Sequence, residues 1–314
     1  MSAVTGLGPI ETGLLEAYAA VGARAGQTMV KNQRILEHLY RTQRISPAFG
    51  YRALCDLARP YVGELQLVSF NGNHGSPDFG PASAKYTESR LSDLGEAALL
   101  AERGERPALP IGLINGSTHH DGPTPPFDPR RMVAALLAAA DGASDAALIE
   151  LVGLPSFPTG CHVDVDLAAL FAGHRTTIRC EANIEARSDG SLVMSKLPPG
   201  SSASDVAEMI VRRHRIVGGE VFGLSDVDDA SIGGQTMIVV RLSADADVEA
   251  SVAQLSDLWG VHTTIEVPLD APLPALLRSW IETHGDRREG VDTKRSLEAQ
   301  LRPILDAALG DGEA

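Results

Sequence analysis

The residue pair with the most chemical potential in this 314-residue chain is Lys85-Tyr86, set within Ala84-Lys-Tyr-Thr-Glu-Ser-Arg-Leu91. A phenol with a pKa near 10 is a weak nucleophile at neutral pH. It becomes useful when a cation or base adjoins it and when a positive group meets the charge that develops on its target. Lys85 supplies a cation of that kind. Upstream, Asn71-Gly72-Asn73-His74-Gly75-Ser76-Pro77 is turn chemistry, with glycines free to take positive φ. Its polar members Asn71, Asn73, His74 and Ser76 could shape a site around Tyr86. Two other groupings carry less chemistry. His119-His120-Asp121 forms a short polar run. His162-x-Asp164-x-Asp166 would align three polar groups on one strand face, but the Leu167-Ala-Ala-Leu170 that follows reads first as a helix with acidic residues in its first turn. Neither is assigned a metal. Cys55, Cys161 and Cys180 are odd in number and form no C-x-x-C pair, so they imply neither a disulfide framework nor a zinc ribbon. The chain contains no P-loop, no G-x-G-x-x-G and no G-x-S-x-G. Nothing in it is expected to bind ATP.

Charge narrows the choice of partner. The formal net charge is −14, which by itself opposes contact with phosphate. Its distribution is uneven. Residues 1–100 hold 9 Lys+Arg and 9 Asp+Glu, so the whole deficit lies beyond residue 100. Within residues 31–59, Lys31, Arg34, Arg41, Arg44, Arg52 and Arg59 are opposed only by Glu37 and Asp56. A local basic face of this kind is compatible with a DNA partner; a solvated helix face is the plainer alternative. The longest apolar run, Met132 to Ala140, covers nine residues, whereas a membrane span needs about 20. No basic segment followed by an apolar stretch opens the chain. A soluble, cytoplasmic protein is expected.

The elements that must position these residues follow from periodicity. Residues 10–24 and 28–42 read as helices. A break at Ile45-Ser46-Pro47 precedes a third helix that Pro60 ends. Two short basic helices around a tight break fit a helix-turn-helix or winged-helix unit, and a small helical bundle fits the same pattern. A helical pattern is read from Ser83 to Leu100, and an alanine-rich helix at 130–140. Thr176–Ala186 and Ser191–Lys196 are strand-like, around the hairpin signal Ser188-Asp189-Gly190. Ser204–Arg215 is a helix with Asp205 and Glu208 spaced as a cap pair. Thr236–Leu242 and Thr263–Val267 are strands, Asp247–Trp259 a helix, and residues 275–309 helical and charged. The sum is an α+β protein.

The turn Asn71-Gly-Asn-His-Gly-Ser followed by Ala84-Lys-Tyr-Thr-Glu-Ser-Arg-Leu91 resembles the A subunit of bacterial type IIA topoisomerases, gyrase and topoisomerase IV. In that family a G-N-F-G-S turn precedes R-Y-T-E-x-R-L. Later fragments agree in order. Leu113-Ile-Asn-Gly-Ser117 is similar to the family's L-V-N-G-S, and Leu154-Pro-Ser-Phe-Pro-Thr-Gly160 to its G-P-D-F-P-T-G. Ser195-Lys-Leu-Pro198 is similar to T-E-L-P, and Gly223-Leu-Ser-Asp226 to G-I-S-D.

The resemblance implies a winged-helix domain over 1–100 carrying Tyr86 and a connecting segment over 101–170. It then implies a tower-like α+β domain over 171–274 and a truncated coiled-coil stem over 275–314. It implies that Tyr86 attacks a DNA phosphodiester and joins the 5′ end, with Lys85 meeting the phosphate charge. Lys31, Arg34, Arg41, Arg44, Arg52 and Arg59, with Asn71, Asn73, His74 and Ser76 of the turn, would hold double-stranded DNA. A homodimer is implied, together with a separately encoded B-type subunit that binds both ATP and Mg2+. A non-cleaving relative that binds DNA or a topoisomerase subunit is the alternative. Several departures favour it. Lysine stands where the family has arginine, a point charge in place of a fixed fork. Gln43-Arg-Ile-Ser-Pro-Ala48 lacks the histidines of the family's H-P-H-G-D-S. Thr118-His119-His120-Asp121 replaces the loop that carries a DNA-wedging isoleucine. Residues 276–309 would make only the start of a stem.

Overall fold

Helix α1 (Pro9–Ala20) begins with proline in its first turn, where no N–H is needed. It buries Leu14, Leu15 and Tyr18 in the core. The computed structural model describes residues 5–105, 109–116, 125–216, 223–232, 235–267, 271–285 and 292–309. After α1 come β1 (Val30–Lys31), α2 (Asn32–Gln43) and α3 (Pro47–Asp56). Ser46 caps α3 through its hydroxyl, which accepts from the Phe49 N–H. Then β2 (Val68–Asn71), β3 (Glu88–Leu91) and α4 (Asp93–Glu102) complete the first part of the chain. The strands form a three-stranded antiparallel sheet in the order β1-β3-β2, with Phe70 opposite Ser89 and Lys31 opposite Glu88.

One sequence expectation fails here. The helical pattern read from Ser83 to Leu100 is interrupted: residues 84–86 form a turn, 88–91 a strand, and helix begins only at Asp93. Thr87, Ser89 and Leu91 are buried while their neighbours are not, which is the period of two. Two of the three buried residues are polar, so hydrophobicity could not reveal the alternation. The true start of the helix is marked by Ser92, whose hydroxyl accepts from the Gly95 N–H at 3.0 Å.

The chain continues through α5 (Ile111–Asn115), α6 (Pro129–Ala140), α7 (Asp145–Val152), β4 (His162–Asp164) and α8 (Leu167–Phe171). Asp166 caps α8, accepting from the Ala169 N–H at 3.0 Å, as its position before the apolar run suggested. Next are β5 (Thr176–Glu181), β6 (Asn183–Ala186), β7 (Ser191–Ser195) and α9 (Ala203–Ile216). The cap of α9 is not the Asp205–Glu208 pair: the Ser202 hydroxyl accepts from the Asp205 N–H at 3.0 Å. Last come β8 (Leu224–Asp229), β9 (Ile238–Leu242), α10 (Val248–Ser256), β10 (His262–Val267), α11 (Leu273–His284) and α12 (Thr293–Leu309).

The strand expected over Thr176–Ala186 is split between two antiparallel sheets. Its first part, β5, is central in β10-β5-β4; its second, β6, is the edge of β6-β7-β9-β8. Ala182 lies at the handover, its N–H donating to the Val261 carbonyl at 2.8 Å. The two sheets face different cores. One core runs from α1 through α8 and takes in Ile178, Cys180 and Val267. The other gathers Leu192, Met194, Val206, Ile210, Ile238, Val240 and Leu255. Helices α11 and α12 pack on α6, and Leu297, Leu301 and Leu305 of α12 join the first core. The segment expected as the start of a stem therefore lies, over residues 293–309, against the body of the protein. No helix among the described residues is long and apolar enough to cross a membrane.

Close backbone approach fixes where α4 sits. A Cβ added to Gly95 would lie 2.0 Å from the Leu67 carbonyl oxygen, which also accepts from the Ser92 N–H at 3.0 Å. Neither group can rotate away. Gly95→Ala is expected to lower stability by about 1–3 kcal/mol through this overpacking, read as a drop in the urea midpoint. An unchanged midpoint would show that α4 can shift freely.

Candidate nucleophile site and basic face

Tyr86 projects from the 84–86 turn with 70% of its surface exposed. The Lys85 ammonium stands over its ring, 4.7 Å from the centroid. This is cation–π geometry, and it places the cation beside the phenol as the sequence suggested. The exposed pair rests on a buried polar network. The Asn32 amide donates to the Thr87 hydroxyl at 2.9 Å, and the Ser89 hydroxyl donates to the Asn32 carbonyl oxygen. The Tyr18 and Ser89 hydroxyls are 2.6 Å apart, and with the Ser89 proton committed to Asn32, Tyr18 is the donor. On the other side the Tyr51 hydroxyl donates to the Ala82 carbonyl and lies 3.0 Å from the Thr87 hydroxyl. Backbone bonds from Asn32 N–H to Thr87 O (3.1 Å) and from Gln33 N–H to Ala84 O (3.2 Å) tie α2 to the same turn. Tyr18, Asn32, Thr87 and Ser89 are almost wholly buried. Burial raises the pKa of Tyr18 and Tyr51, so both phenols remain protonated donors. Sequence alone marks none of these positions as a site residue. Polar residues in a helix start and in alternate strand positions look solvent-facing there.

The second wall is the 71–76 turn. Gly72 (φ 106°) passes so close to Thr87 that an added Cβ would meet its methyl at 3.1 Å. The Asn73 side chain accepts from the Gly75 N–H at 2.7 Å, and the Ser76 hydroxyl accepts from the Phe79 N–H at 3.0 Å. His74 Nδ1 lies 3.0 Å from the Gly75 carbonyl, and its ring meets Phe70 edge-on at 5.5 Å. Asn71 ends β2 opposite Glu88 and is exposed. Asn73, His74 and Ser76 thus direct their hydrogen bonds to the loop itself and give it shape.

The basic residues separate into two groups. Arg59, expected on the DNA face, is mostly buried: its side chain is 13% exposed. Its guanidinium donates to the His74 carbonyl at 2.6 and 2.8 Å and to Asp56 at 2.8 Å. It is a brace between α3 and the turn. Burial pushes the Asp56 carboxyl up, opposed by Arg59. The others are exposed. Arg34 and Arg52 make no ion pair among the described residues. Arg41 reaches Glu37 at 3.7 Å and Lys31 reaches Glu88 at 3.0 Å. Such surface pairs are worth about 0–1 kcal/mol, so either cation can turn to a phosphate. Arg44 ends α2 in the left-handed region (φ 61°), over the Tyr40 ring.

Alongside lies a cleft of about 600 Å3, whose lining includes Arg52, Asp56, Tyr61, Ser76, Phe157 and Thr159. No cluster of three or more His, Cys, Asp or Glu comes together among the described residues. His119, His120 and Asp121 lie outside them, as does the rest of that loop.

With this geometry in hand, the chain can be set beside known proteins. No protein-family model matches it. It is similar to the A subunit of topoisomerase 4 of Escherichia coli (strain K12), 27% identical over 241 residues that cover 67% of this chain and 32% of that protein. It is 28% identical to the gyrase A subunit of Kosmotoga olearia over 296 residues, covering 83% of this chain and 36% of that one. Against the topoisomerase 4 A subunit of Haemophilus influenzae the identity is 28% over 344 residues, 96% of this chain and 45% of that protein. The chain is thus similar, across most of its length, to the A subunits of DNA topoisomerase 4 and DNA gyrase. The chain spans about a third to just under half of the length of these relatives.

The buried network beneath Tyr86 is the part of the site most exposed to a single substitution. Asn32→Ala leaves Thr87 and Ser89 each short of a partner, and a buried unsatisfied group costs about 1–3 kcal/mol. A loss of that size in chemical denaturation is expected. A loss below about 0.5 kcal/mol would mean that water enters and replaces the amide.

Proposed function

We propose that this chain is a DNA-binding A-subunit-like protein that cleaves and rejoins DNA through Tyr86. The observation that carries the reading is the exposed Tyr86, held beside the Lys85 ammonium on a turn whose backbone is fixed from beneath. In the proposed step the Tyr86 oxygen attacks the phosphorus of the scissile phosphodiester. The bond from phosphorus to the 3′ oxygen breaks, that oxygen takes up the proton that the phenol gives up, and the 5′ end remains as a phosphotyrosyl ester. Lys85 meets the charge on the phosphate. The names of the relatives support a topoisomerase subunit, and rejoining is the reverse of the same step.

Around that step, α2 and α3 with the β2–β3 loop serve as a winged-helix unit. Residues 171–274 serve as a tower-like α+β domain whose ends, β5 and β10, are anchored in the sheet of β4. Lys31, Arg34, Arg41, Arg44 and Arg52 position double-stranded DNA through its phosphates, which fixes register without reading sequence. The chain works as a homodimer with a B-type subunit. That partner holds Mg2+, which supplies further neutralisation of phosphate charge, and binds ATP.

Covalent trapping tests the chemical step. End-labelled DNA, Mg2+ and a B-type subunit of demonstrated competence are mixed with wild type or Tyr86→Phe and then denatured in detergent. Label retained by wild type and lost from Tyr86→Phe is expected. Intact DNA binding with no label on wild type would overturn cleavage and leave a DNA-binding relative that does not cut.

The basic face has its own test. Each phosphate contact contributes about 0.9 to the slope of log affinity against log salt. Arg34→Gln combined with Arg41→Gln is expected to reduce that slope by about two in fluorescence anisotropy. The same slope as wild type would remove α2 from the DNA contact.

A further inference from the structure

The first turn of α3 ends in an apolar tip that charge does not account for. Phe49 leaves 68% of its surface in solvent, and Pro47 and Ala48 beside it are exposed as well. A lone exposed apolar side chain is ordinary; three in succession at the start of a helix make a surface. The backbone of this tip is held in place. The Ser46 hydroxyl accepts from the Phe49 N–H. Gly50 sits so close to α2 that an added Cβ would lie 3.0 Å from a Leu39 methyl and 3.1 Å from a Leu36 methyl. Gly50, Leu54 and Cys55 form the buried side of α3, and Phe49 stands on the other.

We propose that Phe49 contacts thymine methyl groups in the major groove of double-stranded DNA and so gives the chain a preference among sequences. The inference rests on the DNA binding proposed above and adds to it a residue that senses the bases. Only residues 44–46 separate α2 from α3, the connection length of a helix-turn-helix. In such a unit the first residues of the second helix meet base edges, and here they are Pro47, Ala48 and Phe49. None of these side chains can donate or accept a hydrogen bond, so donor and acceptor patterns are closed to them. The feature of a base edge that suits them is the C5 methyl of thymine, which lies in the major groove. Cations flank the tip. Arg52 is three residues beyond Phe49, on the same face, and is exposed; Arg44, also exposed, ends α2 five residues before it. An apolar residue between guanidiniums matches a groove walled by phosphates. Packing this tip against the same tip of a second copy would instead bring like charges together.

The contact has a signature of its own. Removing one methyl from water against an aromatic ring changes affinity about fourfold. It neutralises no phosphate and releases no counterion, so it leaves the salt dependence of binding alone. The arginines set the salt slope whatever the bases are, and Phe49 sets a preference without altering the slope.

The test compares two duplexes of equal length and charge. One alternates adenine and thymine; the other carries uracil in place of thymine, which removes only the methyl. In fluorescence anisotropy wild type is expected to bind the uracil duplex about fourfold more weakly. Phe49→Ala is expected to bind both duplexes alike, with the wild-type salt slope and, because the side chain is exposed, the wild-type urea midpoint. Phe49→Leu, which keeps an apolar side chain, is expected to retain the preference. Arg34→Gln combined with Arg41→Gln is expected to weaken both duplexes equally and leave their ratio unchanged. Equal wild-type affinity for the two duplexes, or a preference that survives in Phe49→Ala, would overturn the assignment. A lower sedimentation mass for Phe49→Ala would also overturn it and give the tip to a second copy of the chain. Binding to neither duplex would remove DNA binding itself, whereas binding to both without preference would remove only the role of Phe49.

Discussion

The arrangement around Tyr86 depends on the requirement that buried polar groups find partners. Asn32 begins α2, Thr87 and Ser89 lie on the strand after the turn, and Tyr18 and Tyr51 come from α1 and α3. Five side chains from four segments meet through hydroxyls and one amide, each donor with a defined acceptor. Apolar contacts alone would tolerate a slip of the strand by two residues; this set of donors and acceptors would not. The direction of each bond follows from its neighbour, so the network has a single arrangement and the turn above it a single backbone path. The exposed residues inherit that definition. Tyr86 is free in its side chain and fixed in its backbone, the combination that a group meeting an outside substrate requires.

Arg59 extends the same logic to the second wall. A guanidinium has several donors in a rigid fork, and here they join the end of α3 to the carbonyl of His74. The glycine at 75 leaves room for it: an added Cβ would lie 2.6 Å from the Arg59 terminal nitrogen. The basic face is therefore divided between cations that face solvent and one that holds the loop. Charge counting treats these as equal, and burial separates them.

How much of this was legible in the sequence differs by element. The helices α1, α3, α6 and α10 were readable because their apolar residues recur at helical spacing and their ends carry proline or small polar caps. The strands β7, β9 and β10 were readable from runs of Val, Ile and Thr. The Lys85-Tyr86 pairing was legible as chemistry and as a resemblance. The strand at 88–91 was not, because its inward residues are Thr, Ser and Leu, and the meaning of the two hydroxyls lies in Asn32, more than fifty positions away. The handover at Ala182 was equally hidden. A continuous strand-like stretch carries no mark of the point where its partners change from β4 and β10 to β7.

That handover has a mechanical meaning. Most pairs of packed sheets are joined by a loop, which absorbs relative rotation easily. Here β5 and β6 are separated by one residue, and its N–H is itself held by the Val261 carbonyl. Twist imposed on one sheet must pass through that peptide into the other, like torque along a shaft with no universal joint. Two cores with separate apolar interiors are thereby constrained to turn together, and a force applied far out on the second sheet arrives, undiminished by slack, beneath the strand that carries Cys180.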